Sequence, residues 1–185
     1  MQNTAPPGFR LLHTPFEDLI LIQRNNFEDE RGSFGKIYSR RVFSEIGLPM
    51  SSFKETIYSV SAKGVIRGMH YQESPCACAK LVSVVKGSIM DVVVCIDHGH
   101  KSVVFGQSYS CLLTAANNRS LYIPEGYAHG FQSLEEETIV VYNQTENYSR
   151  EHDKGINYLS FGYDWNMCDP IVSQKDASLP PLASL

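Results

Sequence analysis

Short apolar, β-branched runs recur along this chain with glycine and proline between them, and almost nothing of helical period intervenes. The first run is residues 19–22 (LILI), and others fall at 32–38, 56–62, 81–85, 88–96, 102–113, 120–123 and 138–144. Gly64, Gly87, Gly106 and the Pro124-Glu125-Gly126 turn punctuate them. Many short strands with frequent turn signals predict an all-β sandwich or barrel. A helix is expected only at residues 40–46. There is no internal repeat and no low-complexity stretch. Hydrophobic residues make up 43% of the 185, enough for one core. A single domain over 1–185 is expected, with 1–14 as an N-terminal extension and 178–185 as a C-terminal tail.

Charge and composition then exclude classes of function. The formal net charge is -4, whereas a general nucleic-acid binder is basic, so no nucleic-acid partner is expected. No run approaches the roughly 20 apolar residues of a membrane span. The start, MQNTAPP, has neither the basic nor the apolar region of a secretory leader, so a cytoplasmic location is expected. Cys76, Cys78, Cys95, Cys111 and Cys168 are an odd set of five. Cys76 and Cys78 form a close pair with no second pair to complete a zinc site, and reduced thiols are expected.

Four polar clusters interrupt the strand-forming text: residues 27–32, residues 64–72 followed by Lys80, residues 122–131, and Tyr142 with Tyr148. The mouth of a barrel can gather such clusters. The words that carry them are FEDERGSF, GVIRGMHYQ, AKLVSVVKGSIMDVVVCID, TAANNRSLYIPEGYAHGF and SQKDASLPPL. In this order, over residues 15–182, they resemble the dTDP-4-dehydrorhamnose 3,5-epimerase family of nucleotide-sugar enzymes. The resemblance implies a cupin-type antiparallel jelly-roll barrel with short peripheral helices. It also implies a homodimer that exchanges N-terminal strands, a nucleotide-diphosphate 4-keto-6-deoxy sugar as substrate, and no cofactor.

Epimerisation beside a ketone begins by removing a carbon-bound proton, and imidazole is suited to that task near neutrality. The resemblance puts the base at His70, with Asp176 as the carboxylate that orients it. It puts Lys80 where a fixed cation stabilises the enolate oxygen. Inversion returns the proton on the other face, and the resemblance gives that donor as Tyr142. Tyr148 matches an aromatic residue that stacks on the base or sugar. Arg31 and Arg67 match arginines that clamp the diphosphate, where a planar bidentate donor fits. His129, Phe34 and Lys175 complete the expected binding set. Among silent alternatives, His129 also suits a structural hydrogen bond, and Arg31 an ion pair within its acidic cluster.

Many cupins bind metal through histidines at HxH spacing. His70 is followed by Tyr71 and Gln72, so that spacing is missing there, and His98-Gly99-His100 lies in a glycine turn beside Asp97. No metal is expected. Two departures from the family text bear on the nucleotide. Lys36 stands where a glutamate is usual, and Glu55-Thr56-Ile57-Tyr58-Ser59 replaces a QxNxS run. A lysine suits the acceptors of cytosine, and Glu55 its amine, so these positions predict a preference for a cytidine-linked sugar. The rival readings are a catalytically silent sugar-nucleotide binder and a 3,4-ketoisomerase of the same fold.

Overall fold

The strand text SIMDVVVC shows how the walls are made. Along it Ile89, Val93 and Cys95 enter one buried cluster while Val92 and Val94 enter another. A strand covered on both faces reads as a near-continuous apolar run, which is why alternation is faint here. The computed structural model describes residues 8–48 and 53–185. In chain order the strands are β1 (Phe9–Leu12), β2 (Ile20–Arg24), β3 (Asn26–Asp29), β4 (Gly32–Gly35), β5 (Glu55–Ser61), β6 (Val65–Gln72) and β7 (Lys80–Lys86). Then follow β8 (Ser88–Cys95), β9 (Ser108–Thr114), β10 (Arg119–Ile123), β11 (Tyr127–Ser133), β12 (Thr138–Gln144), β13 (Asp153–Gly155) and β14 (Ile171–Val172). Two short helices, α1 (Arg40–Glu45) and α2 (Gln174–Ala177), lie outside them.

The first sheet runs β1-β2-β10-β7-β12-β5, and the second β13-β6-β11-β8-β9. Every pairing is antiparallel except that of β14 on β6. Leu21, Val82, Val84, Leu121 and Val140 of the first sheet meet Ile89, Val93, Leu113 and Phe131 of the second in the main core. This is the cupin-type jelly-roll. Helix α1 seals the outer face of the first sheet by laying Val42 and Phe43 over Phe9, Ile22, Leu81 and Tyr122. The C-terminal segment seals the second sheet, with Ile156, Trp165 and Leu182 packed on Ile66, Met69, Val92 and Ala128. Among the described residues, no helix is long and apolar enough to cross a membrane.

The structure departs from the sequence reading at several elements. Residues 9–12, within the stretch read as an extension, form β1 and pair in register with β2. The run at 32–38 ends as a strand at Gly35, and with β3 it makes a separate two-stranded hairpin. The run at 102–113 becomes a strand only at Ser108. Before it the chain turns at Gly106, whose positive φ of 82° and N–H bond to the Cys95 carbonyl close a loop. Strands β6 and β11 fall on text that reads as polar clusters, because their cleft-facing histidines and arginine break the apolar pattern. Leu182, in the expected tail, is buried.

Candidate active site

Strands β6 and β11 approach unusually closely, and two glycines permit it. A Cβ on Gly68 would lie 2.6 Å from the Gly130 Cα and 2.7 Å from the His129 carbonyl oxygen. Gly68 also has φ +119°, a region that side chains rarely tolerate. The register shifts between His129 and Phe131, and His70 pairs directly with His129 across the two strands. Two imidazoles are thereby brought to one end of the barrel.

That end opens into a cleft of about 660 Å³, lined by His70, Lys80, His129, Tyr142, Asp176 and Arg67 among others. Asp176 comes from α2, where the Ser173 hydroxyl caps the helix by accepting the Asp176 N–H at 3.0 Å. Its Oδ1 lies 2.9 Å from Nε2 of His70, and its Oδ2 accepts the Gly68 N–H at 3.1 Å. Burial pushes the Asp176 carboxyl up, but the bonds and charge from His70, with those from Gly68 and Ser173, outweigh it and leave it below its ordinary value. A carboxylate so held orients the imidazole and stabilises it when it takes up a proton.

Lys80 enters at the start of β7 and donates to the His70 carbonyl oxygen at 3.3 Å. Burial lowers its pKa, and the charges of Cys78, Asp153 and Asp91 oppose that fall. Tyr142, on β12, shares a 3.0 Å hydrogen bond with Ser59. Burial pushes its phenol up, so it remains a proton donor. His70 comes from the second sheet, and Tyr142 and Lys80 from the first. The imidazole and the phenol therefore face the cleft from different walls.

Arg67 donates to the Ser61 hydroxyl at 3.0 Å and the Val60 carbonyl at 3.1 Å. Lys175 pairs with Asp153 at 2.7 Å, and the Tyr148 hydroxyl donates to the same carboxylate oxygen at 3.2 Å. Tyr148 and Glu55 do not line the cleft. Glu55 accepts the Tyr148 N–H at 2.9 Å. Arg31, Phe34 and Lys36 also lie outside the cleft, on and just beyond the β3–β4 hairpin. Arg31 is paired with Asp29, and Phe34 stands exposed beside Phe27. Among the described residues, no three His, Cys, Asp or Glu converge as metal ligands. His98 stacks on Phe105 and His100 bonds Asp18, so the HxH pair serves two different contacts.

Sequence reasoning missed Asp91 and Asp153. An aspartate inside SIMDVVVC was a signal, since a charge in a doubly buried strand needs a partner. Asp153 carried none, because it meets Lys175 and Tyr148 only through the fold.

A cupin-type barrel whose cleft sets a carboxylate-held imidazole opposite a phenol, with an ammonium beside them, defines an epimerase acting at carbon beside a ketone. The profile of the dTDP-4-dehydrorhamnose 3,5-epimerase family matches residues 13–184. The chain belongs to that family. It is 39% identical over 180 residues to the dTDP-4-dehydrorhamnose 3,5-epimerase of Methanothermobacter thermautotrophicus, covering 94% of this chain and 95% of the relative. The crystal structure of the Sulfolobus tokodaii enzyme of the same name superposes with TM-score 0.87 at 36% identity, over 95% of this chain and 96% of that one. A dTDP-6-deoxy-D-glucose-3,5-epimerase from Legionella pneumophila, solved with dTDP-4-keto-L-rhamnose, superposes with TM-score 0.88 at 34% identity, over 95% and 93% of the two chains.

Proposed function

We propose that this chain epimerises a dTDP-linked 4-keto-6-deoxy hexose at the carbons flanking its ketone, in deoxysugar synthesis. The observation that carries this reading is the His70–Asp176 pair at 2.9 Å facing the same cleft as Tyr142, each from its own sheet. His70 removes the proton from a carbon beside the ketone, and Asp176 stabilises the imidazolium that results. Negative charge develops on the ketone oxygen, where the Lys80 ammonium receives it. Tyr142 returns a proton from the other wall, and the centre is inverted. Arg67 and Lys175, at the rim, take the diphosphate.

The thymidine nucleotide is supported by the ligand of the Legionella relative. Glu55, one half of the case for cytidine, lies outside the cleft of its own chain. The chain works as a homodimer, in which the hairpin carrying Arg31, Phe34 and Lys36 reaches the cleft of a second copy. Two exposed phenylalanines on one hairpin support this, since each would be covered there.

The deciding experiment is incubation with dTDP- and CDP-linked 4-keto-6-deoxyglucose, in competition, in heavy water. Deuterium should enter at C3, C5 or both, with the thymidine-linked sugar preferred. No deuterium uptake from either sugar sinks the epimerase reading. Preference for the cytidine-linked sugar sinks only the nucleotide assignment.

A further inference from the structure

Asp153 lies on β13, an edge strand of the second sheet, and pairs with Gln72 of β6, two residues beyond His70. Its side chain is 15% exposed, and a carboxylate withdrawn that far from water needs partners. Its Oδ2 has two. The Lys175 ammonium reaches it at 2.7 Å, and the Tyr148 hydroxyl donates to it at 3.2 Å. Tyr148 is tied in turn to the edge of the first sheet, where Glu55 of β5 accepts its N–H at 2.9 Å. One carboxylate oxygen thus joins a lysine of α2 to a tyrosine anchored on the other sheet. The bond to Asp153 raises the Lys175 pKa above its ordinary value, against the weaker opposing effect of burial, so the group stays an ammonium.

The other cations of the cleft are held differently. Arg67 donates to the Ser61 hydroxyl and the Val60 carbonyl, and Lys80 to the His70 carbonyl. Of these three, Lys175 alone has a carboxylate partner among the described residues. Its side chain is 61% exposed, far more than the aspartate that holds it. An ammonium has three N–H donors, so one bond to Asp153 leaves two for a ligand. A lysine stem loses much rotamer freedom when a ligand immobilises it. A residue that orders the stem beforehand spares the ligand that loss.

We propose that Asp153 is a positioning residue of the cleft rim: braced by Tyr148, its carboxylate fixes the Lys175 ammonium in place to receive the diphosphate of the nucleotide sugar. The inference deepens the epimerase reading and rests on it for the identity of the ligand. Asp153 does not touch the substrate. It acts on binding through Lys175, at a distance from the proton transfers of His70 and Tyr142. The diphosphate does not change during the reaction, so this contact is the same in ground and transition states. Its loss falls on KM rather than on kcat.

Calorimetric titration with dTDP reads the rim without turnover. Asp153→Ala should bind dTDP about threefold to tenfold more weakly than the wild type, a modest factor because the lysine is exposed. Its KM for solvent exchange should rise by a similar factor, with kcat changed less than about twofold. Asp153→Asn keeps an acceptor without the charge, so its affinity should lie between the two. With Lys175→Ala already in place, neither substitution of Asp153 should weaken dTDP binding further. The same loss in both backgrounds overturns the proposal, and so does a loss confined to kcat. Tighter binding by Asp153→Asn also overturns it, because the carboxylate would then merely repel the diphosphate. If Asp153→Ala does not fold, Asp153→Asn in the two backgrounds decides in the same way. A wild type that binds no dTDP overturns the proposal as well. A wild type that binds dTDP but exchanges no proton refutes the epimerase reading instead, and leaves the titrations to judge Asp153.

Discussion

His70 and Lys80 illustrate how much of this site is decided by single groups. Removing the imidazole removes the base but leaves the barrel intact, since the side chain faces the cleft. His70→Ala is expected to lower solvent exchange by about 10²–10⁴-fold, the usual range for general base catalysis, while binding of the nucleotide persists. Exchange at the wild-type rate, followed by proton spectra in heavy water, refutes the assignment. Tyr142→Phe deletes a hydroxyl and keeps the ring. Inverted product should then fall more than label uptake, because His70 still removes and returns a proton on its own face. Equal loss of both removes Tyr142 from the donor role. Lys80 sets the basic side of the pH profile. Burial lowers its pKa from the ordinary 10.5, so its ammonium is lost as pH rises through a value below 10.5. Turnover is therefore expected to decline on the alkaline side below pH 10.5, and Lys80→Met should abolish that limb together with most of the rate. An alkaline limb that survives in Lys80→Met belongs to another group.

At the scale of elements, the site depends on how closely β6 and β11 pack. Gly68 and Gly130 face each other, and a Cβ on either would collide with backbone of the other strand. Gly68→Ala adds strain at a positive φ to that collision, so a cost of about 2–5 kcal/mol is expected from the two effects together. Urea unfolding reads it directly, and unchanged stability contradicts the close approach of β6 and β11. The same substitution should depress exchange in whatever fraction remains folded, because it separates His70 from His129. Helix α2 works differently. It is only one turn long, and it places Asp176 through the Ser173 cap and the bond from Gly68 N–H rather than through helical stability of its own.

For the whole molecule, the hairpin of β3 and β4 is one part that the single chain leaves uncovered. Phe27 and Phe34 are 70% and 68% exposed. Replacing both with aspartate should convert a dimer into monomers in sedimentation experiments and reduce turnover, with the far-ultraviolet signal of the barrel retained. A wild-type chain that sediments as a monomer at working concentration refutes the assembly proposed above.

The sequence by itself determined the strand-rich architecture, because period-2 and doubly buried apolar runs survive any change of neighbour. Through motif resemblance it also determined which imidazole, ammonium, phenol and carboxylate to examine. It misread β6 and β11 because inward-facing polar residues erase the apolar signal wherever a strand lines a cleft. Only the tertiary structure decided the rest. His70 and Asp176 stand 106 residues apart, and their 2.9 Å contact exists because β6 and α2 meet at the barrel mouth. His129 and Asp91 meet because β11 and β8 are neighbours in one sheet. Arg31, Phe34 and Lys36 were legible as polar and aromatic text beside a turn. Their separation from the cleft of their own chain was not, because the order of a residue in sequence carries no information about which wall its hairpin leans toward. Contacts between distant residues depend on strand order and register, which follow from packing the whole core at once.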